Sequence, residues 1–295
     1  MKFVVNAAYA PVGGLCDMAR ACDEAGFDAI AVSDHMIHPK TLETPYPYTE
    51  DGSPRWENFT EWPDPFVAIA AMAAVTERLR FVTSVYVLPM RNPFQVAKTV
   101  ATAAVLSNDR VVLGVGAGWM AEEFTALEQP FARRGRRMDE MLEVMQKLWD
   151  PSGYAEHHGE FYDFPPVEMR PVPQRPVPIW VGGTSGPARK RAATRADGWI
   201  SDVHTASELE AIVAELHELR ADSPRAGEPL SVLGAATDAY TIDGYRRLES
   251  AGVTHVQTLP WTLYGMKGET LEERCEGIAR FGEDVIAAYR LRNST

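Results

Sequence analysis

The chain has 295 residues, 45% of them apolar and 24% charged, and 41 acidic against 29 basic side chains leave a net charge of −12. That balance argues against a general nucleic-acid or anionic-membrane binder, since both recruit a basic surface. No apolar run approaches the ~18 residues that a transmembrane helix needs, and seven Trp, ten Tyr and eleven Phe exclude a disordered chain.

Three cysteines, Cys16, Cys22 and Cys275, have no metal-ligand spacing, which fits a cytoplasmic protein without disulfides. The first residues become strand-like at once, with no secretory h-region expected. The length fits two domains of ~150 residues or one β/α barrel of ~250 residues with insertions.

Eight short apolar segments read as strands: 3–9, 29–33, 79–88, 110–116, 177–182, 198–202, 230–235 and 255–260. Helical spacing separates them, as with Leu15, Met18, Ala19 and Cys22, or Met138, Met141, Leu142, Met145 and Leu148. Ala25-Gly26, Asp197-Gly198 and Ala251-Gly252 each read as a helix end leading into a strand. An open doubly wound sheet would use the same device, but eight units favour closure, because an open sheet leaves two edges to protect. The expectation is a single (β/α)8 TIM-like barrel over residues 1–295.

Two stretches interrupt the rhythm. Residues 40–63 follow the second strand and carry Tyr46, Tyr48, Trp56, Phe59 and Trp62. A loop after a strand's C-terminal end lies at the catalytic mouth of a barrel, so this one reads as a lid whose Trp56, Phe59 and Trp62 wall a substrate. Residues 150–176, before the fifth strand, are rich in Pro and aromatics and begin at the opposite end. His157-His158 within them reads as surface.

Ser33-Asp34-His35 ends the second strand. His35 at the mouth reads as a proton donor or as a loop-bonding group. The H-x-x-H spacing of His35 and His38 falls on a loop, so no metal is expected. Gly114-Val115-Gly116-Ala117-Gly118-Trp119 is not a dinucleotide fingerprint: the spacing is wrong and the position is mid-chain. Its glycines put open space on one face of a strand end, for a flat ligand or for neighbouring side chains. Gly182-Gly183-Thr184-Ser185 runs from a strand into a helix, where free N–H groups and the dipole suit a phosphate. Arg189, Lys190, Arg191 and Arg195 follow as a local basic cluster.

Together these segments resemble the luciferase-like monooxygenase superfamily, particularly its deazaflavin-dependent branch. The likeness lies in Ser33-Asp34-His35, Thr83-Ser84-Val85, Leu88 to Pro93, Asp109 through Trp119 to Glu122-Glu123-Phe124, Pro178 to Gly183, and Ala196 to Trp199. It covers residues 1–202 and weakens beyond. The resemblance implies coenzyme F420 or FMN at the mouth, with the phosphate on Gly182, Gly183, Thr184 and Ser185. It also implies a non-prolyl cis peptide or bulge at Ser84-Val85 against the ring, with Gly116 and Gly118 beside it. His35 and Trp119 then stand at the reacting end. Trp119 occupies the position of a catalytic glutamate in a sugar-phosphate dehydrogenase of the branch, so that chemistry is not expected.

The leading reading is hydride transfer between F420 and a small organic substrate, with His35 as proton relay and the basic cluster near the cofactor's acidic tail. The alternative is a monooxygenase using reduced FMN and oxygen, with a separate reductase as electron supplier. A flavin-sequestering protein and a metal-dependent hydrolase using Asp34, His35 and Asp202 are the remaining classes. A homodimer is compatible with all of them.

Overall fold

In the computed structural model, which describes residues 1–291, each of the eight apolar segments contributes a barrel strand. In chain order the strands are β1 (Lys2–Asn6), β2 (Ala29–Val32), β3 (Arg80–Thr83), β4 (Tyr86–Val87), β5 (Val111–Gly116), β6 (Ala155–His158), β7 (Asp163–Val167), β8 (Ile179–Gly182), β9 (Gly198–His204), β10 (Ser231–Ala236) and β11 (His255–Thr258). The helices around them are α1 (Leu15–Glu24), α2 (Pro65–Ala73), α3 (Pro93–Leu106), α4 (Ala121–Ala126), α5 (Arg134–Leu148), α6 (Gly186–Arg195), α7 (Ala206–Ala221), α8 (Ile242–Ser250) and α9 (Leu271–Phe281).

Parallel pairing runs β1–β2–β3–β5–β8–β9–β10–β11 and returns to β1, so the sheet closes. The protein is a (β/α)8 barrel. The segment 79–88 is not one strand: β3 stops at Thr83 and β4 resumes at Tyr86, still paired to β5 through Tyr86 and Val87.

Strand alternation divides the core in two. Inward side chains Val4, Ala29, Ala31, Val82, Val112, Trp180, Ile200 and Leu233 fill the lumen. Outward neighbours such as Phe3, Ile30, Phe81, Val111 and Trp199 pack on the helices, against Met18, Val100, Met141 and Leu209. Both faces of the sheet are therefore apolar, as a parallel barrel requires.

The helix starts are written locally. Asp64 accepts N–H bonds from Phe66 and Val67 ahead of Pro65, Asn92 caps α3 ahead of Pro93, and Thr205 forms a capping box with Glu208. Gly26 and Gly252 end helices with φ of 81° and 101°. Asp197-Gly198 differs from expectation, because α6 ends at Arg195 and Gly198 already lies in β9. A Cβ there would come 2.6 Å from Trp180 and 2.7 Å from the Ser231 carbonyl, so space rather than turning selects glycine.

The stretch 150–176 contains the antiparallel hairpin β6–β7 and lies along the outer wall. Phe164 packs on Phe94 of α3 at 4.8 Å, and Glu140 of α5 accepts the N–H groups of Phe161 and Tyr162. His157, read as surface, is 6% exposed, between Glu140 and Lys147 and against Phe164. His158 is exposed and pairs with Asp163. Among the described residues no helix is long and apolar enough to cross a membrane.

Candidate active site

The break in the third barrel strand organises the C-terminal mouth. The Ser84–Val85 peptide is cis. Ser84 N–H donates to Val32 O at 2.7 Å, the Ser33 hydroxyl donates to Ser84 O at 3.1 Å, and the Thr83 hydroxyl donates to Gly114 O at 2.7 Å. Val85 then points across the lumen between the ends of β5 and β8. A Cβ on Gly116 would lie 2.7 Å from Val85 Cγ2, and one on Gly182 would lie 2.5 Å from Val85 Cγ1.

Gly116 and Gly118 line the mouth cavity, and of the two readings of these glycines the structure fits the admission of neighbouring side chains. The room beside Gly116 holds Val85, and the room beside Gly118 holds Val87 and Phe124. Gly114 faces the Thr83 carbonyl, which a Cβ would approach to 1.9 Å. The glycines admit the bent strand, and the bent strand shapes the mouth.

Asp34 and His35 diverge at the end of β2. Asp34, 4% exposed, accepts both guanidinium nitrogens of Arg91 at 2.8 Å and the Val87 N–H at 2.8 Å. Burial raises the carboxyl's pKa and the Arg91 guanidinium opposes it. Asp34 thus anchors β4 and takes no part in a ligand cluster with His35.

His35 faces the mouth, its side chain 10% exposed. Its Nδ1 lies 3.2 Å from Oε2 of Glu123, a carboxylate 2% exposed whose Oε1 accepts Met36 N–H at 2.6 Å. Around the imidazole stand Trp56 (4.9 Å between ring centres), Trp62 (4.8 Å) and Trp119 (6.1 Å). Tyr46 closes the group, 5.2 Å from both Trp56 and Trp119.

Residues 40–63 lie over this end of the barrel. Glu122 of α4 accepts the N–H groups of Glu43 and Thr44, and Arg55 makes a two-point bond to Asp202 of β9, at 2.7 and 2.8 Å. The indole N–H groups of Trp56 and Trp62 are buried with no partner among the described residues. Phe59 is a correction. It is 99% exposed with φ of 68° and does not line the mouth.

Across the mouth, Gly182, Gly183, Thr184 and Ser185 lead into α6. Gly183 has φ of 120°, and its carbonyl accepts the Trp199 indole N–H at 3.0 Å. Ser185 caps α6 by accepting the Ala188 N–H. The N–H groups of Thr184, Ser185 and Gly186 make no hydrogen bond among the described residues. Arg134 lines the same cavity with its Nε on Gly118 O and with no carboxylate partner among the described residues. The cavity, about 430 Å³, includes His35, Trp56, Trp119, Val85, Gln257 and this loop.

Of the basic cluster on α6, only Arg189 reaches that loop, donating to the Thr184 carbonyl. Arg189 pairs with Glu215, Arg191 with Asp139 and Arg195 with Glu143. Glu123, Arg134, Arg55 and Asp202 are site residues that the one-dimensional reading did not single out for these roles.

The luciferase-like monooxygenase family matches residues 4–243. The chain belongs to that family. An uncharacterised protein of Mycobacterium tuberculosis is 38% identical over 273 residues, 92% of this chain and 93% of its own length. Two solved structures share the fold of this luciferase-like chain. A monooxygenase from Streptomyces bottropensis superposes with a TM-score of 0.74 at 20% identity, covering 98% of this chain and 100% of its own. A coenzyme F420-dependent tetrahydromethanopterin reductase from Methanopyrus kandleri gives 0.73 at 14% identity, covering 98% and 99%. Family membership makes the chain an enzyme of the luciferase-like monooxygenase superfamily.

A flavin-type cofactor, which the resemblance implies, would suit the residues present. Unpaired amides at a helix start and a cation without a carboxylate suit its phosphate. Two buried indole donors and apolar walls suit a polar heterocycle and its substrate.

Proposed function

We propose that this enzyme transfers hydride between coenzyme F420 and a small, largely apolar organic substrate, a carbonyl compound or the matching alcohol. The observation that carries the reading is His35, backed by the Glu123 carboxylate and enclosed by three tryptophans, facing the same cavity as the phosphate-type loop. Interconversion of alcohol and carbonyl moves a hydride and a proton together, so the site needs a titratable group at the substrate's oxygen.

When bound, F420 supplies or accepts the hydride. The amides of Thr184, Ser185 and Gly186, with Arg134, hold its phosphate, and the backbone at Ser84-Val85 supports its ring. His35 gives or takes the proton through Nε2, because Glu123 occupies Nδ1. Trp56, Trp62, Trp119 and Tyr46 exclude water and place an apolar substrate over His35. No carboxylate stands at position 119, and the aromatic walls disfavour a sugar phosphate.

A second reading, FMN-dependent monooxygenation, gains from one observation. The α6 arginines expected to meet the long acidic tail of F420 are paired with Glu215, Asp139 and Glu143. An FMN phosphate needs only the loop. An anaerobic turnover screen decides between them. Small ketones should oxidise reduced F420 without oxygen, whereas product formation that needs FMN, a reductase and oxygen would replace the first reading with the second.

A further inference from the structure

The barrel has a second cavity at its other end, about 860 Å³, bounded by the N-terminal ends of the strands. The lumen plug of Val4, Val82, Val112 and Trp180 stands between it and the mouth that holds His35.

Register and alternation decide which side chains enter it. Lys2 shares the inward face of β1 with Val4, and Arg80 shares that of β3 with Val82. Lys2 is the direct neighbour of His255 on β11, and Arg80 is the neighbour of Ala29 on β2. Trp180 packs edge-on against His255 with ring centres 4.8 Å apart. Ser231 of β10 completes the layer.

Charge around this cavity is unevenly matched. Its rim carboxylates are already engaged: Asp23 by the N–H groups of Glu77 and Leu79, and Asp28 by Phe3 N–H and Arg290. Asp197 is held by Ile179 N–H and Arg225, and Arg225 also takes Glu228. Glu24 is exposed at the edge. The side chains of half-buried Arg80 and more exposed Lys2 make no hydrogen bond or ion pair among the described residues, although Asp109 adds a negative field at Arg80. Burial lowers the Arg80 pKa, the mark of a guanidinium partly stripped of water. His255, 8% exposed, is held neutral chiefly by burial, with Lys2, Arg80 and the N-terminus adding their positive fields. On a chain of net charge −12, two inward cations without an ion-pair partner among the described residues form a local positive patch.

We propose that this N-terminal mouth is a second ligand site, for a small organic oxyanion carrying phosphate or carboxylate groups. Arg80 and Lys2 hold the anion, the guanidinium offering a two-point bond that an ammonium lacks. Ser231 adds a hydroxyl, and Trp180 with His255 gives the organic part an aromatic wall. The volume falls in the range of small-molecule pockets, roughly 300–1,000 Å³. A site here is separate from the redox centre and takes a ligand that is neither cofactor nor substrate.

The test titrates the purified protein with pyrophosphate in one arm and citrate in the other, following the His255 ring resonances by NMR. Saturable shifts with either anion are expected, and the arm that responds identifies phosphate or carboxylate as the recognised group. Arg80→Gln and Lys2→Gln should each weaken the response about tenfold or more, the scale of a lost charge-assisted bond. Ser185→Ala, at the opposite mouth, should leave it unchanged. No saturable shift in either arm overturns the proposal. So does a response that survives both lower-mouth substitutions, or one that Ser185→Ala abolishes.

Discussion

Glu123 sits behind His35, with Oε2 3.2 Å from Nδ1 and Oε1 2.6 Å from the Met36 amide. A carboxylate in that place accepts the Nδ1 proton and presents Nε2 to the cavity, so His35 is oriented as well as placed. His35→Ala should lower kcat by about 10²–10⁴ and remove one ionisation from the pH–rate profile. Glu123→Gln should cost about tenfold or more, the scale of a ~1.5–3 kcal/mol bond to a charged group. A full rate and profile in His35→Ala would make the histidine structural.

Two aromatics of the same loop should behave differently. Trp56 packs against His35, Tyr46 and Trp62, while Phe59 points to solvent. Trp56→Ala should change substrate turnover at least about tenfold with cofactor affinity nearly intact, consistent with loss of a rigid apolar wall. Phe59→Ala should leave both unchanged. Steady-state kinetics and cofactor titration of the pair check this, and a larger effect from Phe59 would contradict the placement of the loop.

Gly183 serves the opposite wall. Its φ of 120° is closed to ordinary side chains, and an added Cβ would meet Ala188 at 3.1 Å. Gly183→Val should weaken cofactor binding about tenfold or more by turning the Thr184–Gly186 amides. It should also cost ~1–3 kcal/mol of stability through backbone strain. Isothermal titration and thermal melting separate the two effects, and unchanged cofactor affinity would remove the loop from the phosphate site.

His255 gives a pH signature independent of catalysis. Burial lowers its pKa from 6.5 to about 3 in the fold. Below about pH 6.5 the unfolded chain therefore binds a proton that the native state refuses. The histidine's contribution is complete above that pH and is lost as pH falls toward 3, at up to ~1.4 kcal/mol per unit. Urea melts at pH 7 and pH 5 should show the loss, and His255→Gln should flatten it. An unchanged slope in the variant would show that another group carries the effect.

Much of this architecture was legible because βα repetition writes itself into local pattern. Eight apolar segments, their capped helices and the loop after β2 need no knowledge of distant contacts. Partners far along the chain were hidden. Gly116 looked like open space until Val85, 31 positions away, was seen to fill it, and nothing near Gly182 told that the same side chain, 97 positions away, lies against it. The α6 arginines looked like an anion cluster until Asp139 and Glu143 of α5 and Glu215 of α7 came beside them. Glu123 looked like an ordinary acid in the first turn of α4, which the helix dipole favours. Its one local signal was the apolar company of Phe124, hinting that this end of the helix turns inward. Phe59 shows the limit of aromatic content in a loop, which marks an ordered segment without saying which ring faces in.

The central claim is a deazaflavin site, and equilibrium binding tests it most directly. Purified protein titrated with oxidised F420 and separately with FMN, each followed through the ligand's own absorbance or fluorescence, gives two dissociation constants. The account predicts saturable F420 binding about tenfold or more tighter than FMN, a difference of ~1.4 kcal/mol or more. Tighter binding of FMN, or saturable binding of neither, would contradict it.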